Sequence, residues 1–299
     1  MNNFKHYFFA SRPAFLTISL LACFLGFAIA TKTSLMQWGV NSICLLLVLL
    51  AHAAANLSND YFDSLNGSDA RNTKRIYPFT GGSRYIQNNH FNEAQIKQLS
   101  LGIFIATILG GLALCLLTNW RLIWIGFCGL MLAWFYSAPP LKLMCRGLWG
   151  ELAIACAWAL VVIGSAMLST STISMTSLIV GSVYGLMVAN ILFVNQIPDI
   201  EADQLSGKLT LAVNTQPQNL WLWSLAFSAT ANLLLLVSVV LGILTKVYLL
   251  ALISFPLCFA NALKLVVVNH NSLKNCIQQT ILATHLFGLL MLLSLVMDK

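Results

Sequence analysis

Charge is the scarcest property of this 299-residue chain: Asp, Glu, Lys and Arg together make up 8% of it, and only nine residues are acidic. An ordinary soluble domain carries roughly a quarter charged residues, so with 59% hydrophobic residues the chain has too little polar surface to face water on all sides. Its eight cysteines include no C-x-x-C pair and fall mostly inside apolar runs, which sets aside a disulfide framework and a zinc site and leaves them as small hydrophobes. No Gly/Ser-rich or Pro-rich linker and no low-complexity tract divides the chain, so a single domain over 1–299 is expected.

What is abundant is apolar length. Crossing about 30 Å of hydrocarbon takes roughly 20 residues of helix, and such runs recur near 14–31, 38–57, 99–118, 122–138, 148–168, 174–194, 219–242, 246–266 and 277–297. An all-α, multi-pass membrane bundle of about nine helices follows. The first run is too long for a signal peptide and lacks the small-residue cleavage pattern, so it is expected to remain in the mature protein. A net charge of +7 would suggest a nucleic-acid partner in a soluble protein; here it is accounted for by Lys and Arg in cytoplasmic loops, and no nucleic acid is expected. With the N-terminus inside, Lys5, Arg12, Arg71, Lys74, Arg75, Arg84, Lys97, Lys142, Arg146, Lys208, Lys264 and Lys274 fall on the cytoplasmic side and only Lys32, Arg121, Lys246 and Lys299 on the other.

Six of the nine acidic residues sit in two patches on that cytoplasmic side: Asp60, Asp63 and Asp69 after the second run, Asp199, Glu201 and Asp203 after the sixth. Acidic groups at the mouth of a helical bundle are costly to desolvate and are kept for ions, protons or substrates. Asn56, Asn59, Asp60 and Asp63 follow i, i+3, i+4, i+7 spacing, and Asn195, Asp199 and Asp203 are four apart; each set lines one helix face. Carboxylates gathered in this way repel one another unless a cation neutralises them, and oxygen-only ligands suit magnesium, which takes one or two carboxylates plus phosphate oxygens. Read singly, either patch also fits a helix cap with solvated loop charges. Pro198 interrupts the second patch, and a carbonyl it frees is expected to face the same cavity.

Further cations are needed for the phosphate oxygens, and Arg71, Lys74, Arg75, Arg84, Lys142, Arg146 and Lys208 are placed to supply them, although topology alone explains part of this set. The segment Thr80-Gly81-Gly82-Ser83-Arg84 has the composition of an anion cradle built from backbone N–H groups, or of a plain turn. The stretch from Ser58 to about Gln98 reads as a long loop, of the kind that forms lids or binding elements, with Asn92 and Gln95 forming a capping box at its end.

These residues carry a resemblance to the UbiA superfamily of intramembrane prenyltransferases. Asn56-Leu-Ser-Asn-Asp-Tyr-Phe-Asp63, with Gly67 and Asp69, is similar to the first aspartate-rich motif in the form of the 1,4-dihydroxy-2-naphthoate polyprenyltransferase branch. Asn195-Gln-Ile-Pro-Asp-Ile-Glu-Ala-Asp203, followed by Gly207-Lys208, is similar to the second, and Tyr136 to Lys142 with Arg146 to Glu151 resembles the region between them. The resemblance implies nine helices around a central cavity and transfer of a polyprenyl group from an allylic diphosphate to an aromatic acceptor in a bacterial inner membrane, with the active-site mouth cytoplasmic. It implies that Asn59, Asp63, Asp199 and Asp203 hold Mg2+ on the diphosphate, that Asn56, Asp60 and Asn195 support them, and that Lys142 and Lys208 contact the phosphates. Gly67 replaces an aspartate usual in the 4-hydroxybenzoate branch, which favours the naphthoate acceptor and a step towards menaquinone; Val213-Asn214-Thr215 lacks the arginine and glycine that often close the second motif.

Metal and lysines would take up negative charge as diphosphate leaves, Tyr136 would face the allylic cation with its ring, and Arg12 would meet the acceptor's carboxylate if it turned inward. A cation-coupled transporter is the main alternative from another class. It would place ionisable residues near the membrane midplane, where only Glu151 and His52 are candidates, each expected to be a hydrogen-bonded bundle residue.

Overall fold

The computed structural model describes residues 2–31, 37–170, 172–266 and 270–298; Lys32 and Lys299, two of the four cations assigned to the far side, lie outside the described residues. A short helix α1 (Asn2–Ala10) leads into α2 (Pro13–Ala30), α3 (Trp38–Asn66) and the single turn α4 (Ser68–Arg71). Then come α5 (Glu93–Leu117), α6 (Leu122–Phe135), α7 (Leu148–Met167), α8 (Met175–Gln196) and the short α9 (Ile200–Leu205). The bundle closes with α10 (Leu220–Val240), a 3-10 stretch Lys246–Ser254 that runs into α11 (Phe255–Lys264), and α12 (His270–Met297). Among the described residues eight helical stretches are long and apolar enough to cross a membrane, and α6, with 14 residues, supplies a shorter ninth. The protein is an integral membrane helical bundle.

The bundle is organised around α8, the most enclosed of these stretches. Gly185 lets α8 lie directly on α7, since a β-carbon there would strike the backbone carbonyl of Ala155, the small-residue contact that membrane helices use where apolar burial gives no drive between them. Buried polar groups tie the same helices: the Tyr184 hydroxyl donates to the Ile18 carbonyl of α2 at 2.9 Å, and the Thr284 hydroxyl of α12 donates to the Met187 carbonyl.

Helix α3 carries the first acidic motif beyond the hydrocarbon. Its 29 residues span about 44 Å at 1.5 Å each, more than the roughly 30 Å of the apolar layer. It ends at Gly67, which adopts φ 79° as the C-cap, a left-handed conformation that favours glycine. Because α3 continues to Asn66 and α4 follows, the long loop expected from Ser58 shrinks to residues 72–92. It closes on the anticipated capping box, with both the Asn92 and Gln95 bonds made.

Two further features shape the end of the bundle that carries the acidic motifs. The chain tightens to a 3-10 turn over Ile197–Asp199, and the Val194 carbonyl, which a helical donor at Pro198 would otherwise reach, is taken by the Ile197 N–H. The loops after α6 and α9 also meet in a two-residue parallel ladder, β1 (Arg146–Gly147) on β2 (Leu209–Thr210). That ladder fixes Lys208 at the residue before β2, and Gly207 (φ 72°) supplies the reversal that brings it back over α9.

Candidate active site

The two acidic motifs meet at one ammonium group. Lys208 Nζ donates to Asp63 Oδ2 at 2.9 Å and lies 3.7 Å from Asp203 Oδ1. The same Asp63 oxygen accepts from Asn59 Nδ2 at 3.0 Å, and its other oxygen accepts from Asn66 Nδ2. The side chains of this pair are 13% and 5% exposed, whereas the other ion pair between the motifs, Lys74 with Glu201, is 65% and 63% exposed and at that exposure contributes little. Burial works to lower the Lys208 pKa, but Asp63 and Asp203 outweigh it and hold the ammonium well above the usual lysine value. Lys208 is a fixed cation.

The glycine segment does cradle anions, but they are the protein's own. Gly81 N–H donates to Asp199 Oδ2 at 3.1 Å, and Asn72 Nδ2 donates to the other Asp199 oxygen at 2.7 Å. Ser83 donates its N–H and hydroxyl to Asp60. Asp60 also takes the Arg12 guanidinium, whose Nη2 reaches Asn59 Oδ1 at 3.1 Å. Asp60 is therefore saturated by protein donors and lies outside the cavity lining, so the structure places it as a clamp between α2, α3 and the 80s loop rather than at the reacting groups. Arg12 does turn inward, but toward Asp60.

One cavity of about 390 Å³ collects the rest, within the range of small-molecule sites. Arg12, Asn56, Asn59, Asp63, Asp199, Asp203 and Lys208 line its head, together with Asn195 and the Tyr136 ring. Asn56 is anchored by donating Nδ2 to the Ser11 carbonyl, and Asn195 Oδ1 is buried without a partner. Two expected contributors are elsewhere. Lys142, in a left-handed conformation (φ 45°) at the turn after α6, is exposed and outside the lining. Arg84 donates to the Asp69 backbone carbonyl and holds the loop. Among the remaining loop cations, Arg71 donates to the Asn66 carbonyl and Arg146 to the Pro140 carbonyl, both from exposed positions.

Asp69, the third acidic residue of the first patch, also belongs to the site. It is buried on the cavity wall, one carboxylate oxygen has no partner, and Gly82 leaves the room it fills, since a β-carbon there would collide with its carboxylate. Burial, then the nearby charges of Asp63 and Asp60, push its carboxyl up to about 8. Its spacing from Asp63 breaks the helical period at Gly67, which is why a reading along one helix face passes over it. Asn72, also on the wall, has an unpartnered oxygen as well.

Below this head the cavity continues between α3, α5, α6 and α7 as an apolar chamber lined by residues such as Val48, Leu114, Ile125 and Val161. Of the two ionisable residues that were candidates for the midplane, Glu151 lies instead in the first turn of α7, at the end of the bundle that carries the acidic motifs; it is fully buried and accepts from Gln196 Nε2 at 2.8 Å. Gln196 in turn accepts the Ala212 N–H, which ties α7 to the Lys208 loop.

The donor set fits magnesium in partnership with a phosphate. Asp63, Asp69, Asp199 and Asp203 share the head with Lys208, and Arg12 is already paired with Asp60, so carboxylates exceed cations. The unpartnered oxygens of Asp69, Asn72 and Asn195 are of the hard type that magnesium takes. Among the described residues no three acidic, histidine or cysteine side chains converge as a cage of their own.

Comparison with known proteins identifies the family and the fold. The model of the UbiA prenyltransferase family matches residues 19–287. The chain is 29% identical over 204 residues to 1,4-dihydroxy-2-naphthoate octaprenyltransferase of Bacillus subtilis, covering 68% of this chain and 63% of that one. It is 26% identical to the protein of the same name from Mycobacterium leprae, covering 71% and 70%. It is 29% identical to 2-carboxy-1,4-naphthoquinone phytyltransferase of Synechocystis sp., covering 67% and 62%. The matched stretch thus spans less than two thirds of the Bacillus and Synechocystis relatives. Among solved structures, a digeranylgeranylglyceryl phosphate synthase superposes with TM-score 0.68 at 17% identity, over 99% of this chain and 100% of that one. A UbiA homolog from Archaeoglobus fulgidus bound to DMAPP and Mg2+ gives 0.67 at 15%, over 95% and 98%. At these identities the likeness to solved structures is one of fold.

Proposed function

Since the chain belongs to the UbiA prenyltransferase family, we propose that it transfers a polyprenyl group from an allylic diphosphate to 1,4-dihydroxy-2-naphthoate, a step towards menaquinone. The transfer reading rests on one observation: Lys208 joins Asp63 and Asp203, from motifs far apart in the chain, at the head of an otherwise apolar chamber. The acceptor assignment is supported by the names of the relatives and by the left-handed Gly67. In this reading the whole chain acts as one domain in a bacterial inner membrane, with its N-terminus and the chamber mouth cytoplasmic.

The diphosphate sits at the head and the isoprenoid tail in the chamber. Asn59, Asp63, Asp199 and Asp203, joined by Asp69, are the residues that would hold Mg2+, whose charge would offset that of the diphosphate. Lys208, poised between two carboxylates, exchanges part of that pairing for phosphate oxygens, and its attraction grows as negative charge builds on the leaving group. The C–O bond of the allylic diphosphate breaks with its electron pair going to the diphosphate. An electron pair from the acceptor ring then forms the new carbon–carbon bond, and the ring regains its aromaticity as the attacked carbon gives up what it carried: a proton, which the departed diphosphate can accept, or, at the carbon bearing the carboxylate, CO2. Tyr136 lines the same cavity, and its π-face would stabilise positive charge on the allylic carbon. The apolar wall keeps out water that would intercept the cation.

The test is a side-by-side assay of dihydroxynaphthoate, 4-hydroxybenzoate and homogentisate with one polyprenyl diphosphate, with and without chelator. Transfer to dihydroxynaphthoate that chelator stops and added Mg2+ restores is the expected result. Exclusive prenylation of a single-ring acid would reject the acceptor; full turnover in chelator would reject the metal.

A further inference from the structure

One turn deeper than Asn56 on the same face of α3, His52 lines the chamber. Two contacts from other helices hold its ring. Nδ1 lies 2.8 Å from the Ser19 hydroxyl of α2, and the Trp158 indole of α7 packs perpendicular to the imidazole, with centroids 5.0 Å apart and planes at 88°. The Trp158 indole nitrogen is buried without a hydrogen-bond acceptor, so nothing draws that ring away from His52. Ser19 and Trp158 line the same chamber. Three helices therefore fix the imidazole, while its Nε2 makes no hydrogen bond to any described residue. Val48 and Ala55, its neighbours along this face, are apolar and supply none. That nitrogen is not among the buried, unpartnered atoms: it opens to the chamber that His52 lines, where a ring held by three helices presents it to a ligand.

We propose that His52 Nε2 anchors a hydroxyl of the aromatic acceptor and so sets the depth at which the ring waits beneath the diphosphate. The proposal rests on the prenyl-transfer reading above. A hydroxyl both donates and accepts, so either imidazole tautomer serves it. Seven residues separate His52 from Asn59, about 10 Å along the helix, which leaves room for an aromatic ring between the anchor and an allylic carbon held at the head. A ring hung from this point is oriented before the C–O bond breaks, when orientation matters most. Ser19 and Trp158 act through His52 and are positioning residues.

The experiment compares purified full-length wild type with His52→Leu, His52→Gln and Ser19→Ala, measuring KM separately for dihydroxynaphthoate and for the polyprenyl diphosphate. His52→Leu is expected to raise the acceptor KM roughly tenfold or more, the worth of one buried hydrogen bond, while the diphosphate KM moves less than twofold. His52→Gln, which keeps a polar group at similar reach, should recover much of the loss, and Ser19→Ala should shift the acceptor KM the same way by less. An acceptor KM unmoved in His52→Leu, or moved equally with that of the diphosphate, overturns the anchor. Should His52→Leu fail to insert, an acceptor KM unmoved in both other variants overturns it equally. The wild type alone tests the underlying reading: a protein that hydrolyses polyprenyl diphosphate but passes it to no hydroxylated aromatic defeats prenyl transfer, and the anchor with it.

Discussion

Lys208 Nζ stands 2.9 Å from Asp63 Oδ2 across 145 residues of chain, and this contact is the hinge between the two halves of the site. It brings a loop cation onto a helix carboxylate, and with Asp203 on the other side it holds an ammonium at the head of the cavity.

Removing that cation should slow turnover more than it unfolds the protein. For Lys208→Ala, loss of one charge-assisted contact, worth about 1.5–3 kcal/mol, predicts a fall in kcat/KM for the polyprenyl diphosphate of about 10- to 150-fold. Steady-state kinetics with a thermal melt in detergent checks this. Unchanged kinetics would mean that Lys208 only compensates Asp63 and Asp203.

Asp60 and Asp63 are three residues apart but should behave differently. Asp63→Ala, Asp199→Ala and Asp203→Ala are each expected to abolish activity while the protein still inserts. Asp60→Ala strands Arg12 and frees Ser83, and breaking a buried pair of this kind costs about 3–5 kcal/mol. Its main effect should be a lowered Tm, with residual activity that keeps the wild-type Mg2+ dependence. A Tm unchanged in Asp60→Ala, with activity lost, would move Asp60 back among the reacting groups.

Asp69 makes metal-free stability depend on pH. Its carboxyl titrates near 8 in the fold against about 3.9 in an unfolded chain, so the folded state favours the neutral acid. That contribution is fully present below the unfolded value and is lost as pH rises through about 8. The Tm in chelator should therefore fall between pH 5 and pH 8.5, Asp69→Asn should flatten the slope, and Mg2+ should restore stability most at the alkaline end. A slope identical in Asp69→Asn would remove Asp69 as its source.

Both acidic motifs must open to one side of the membrane. Single cysteines at the exposed positions Arg71 and Gln204, in a background without the eight native cysteines, should react with impermeant reagent from the same face and Thr245→Cys from the opposite one. Position 68, between Gly67 and Asp69, is buried and would label poorly from either. Labelling of 71 and 204 from opposite faces would break the arrangement of the site.

Apolar run length and scarcity of charge determined by themselves that this chain is a membrane bundle of about nine helices, because hydrocarbon tolerates little else over 20 residues. The 3.6-residue period likewise determined that Asn59 and Asp63 share a face, as do Asn195, Asp199 and Asp203, and that Asn92 opens a helix. These properties depend on neighbours within a few turns. The tertiary structure alone decided which of these groups meet. It turned Asp60 onto Arg12 and Ser83, left Lys142 outside while the β1–β2 ladder carried Lys208 in, spent the Gly81 N–H on Asp199, and brought Asp69 to the wall beyond a glycine that ends the helix. Each of these contacts joins segments from different elements, and which partner a carboxylate finds is set by how helices and loops pack against one another, a complementarity that no local spacing records.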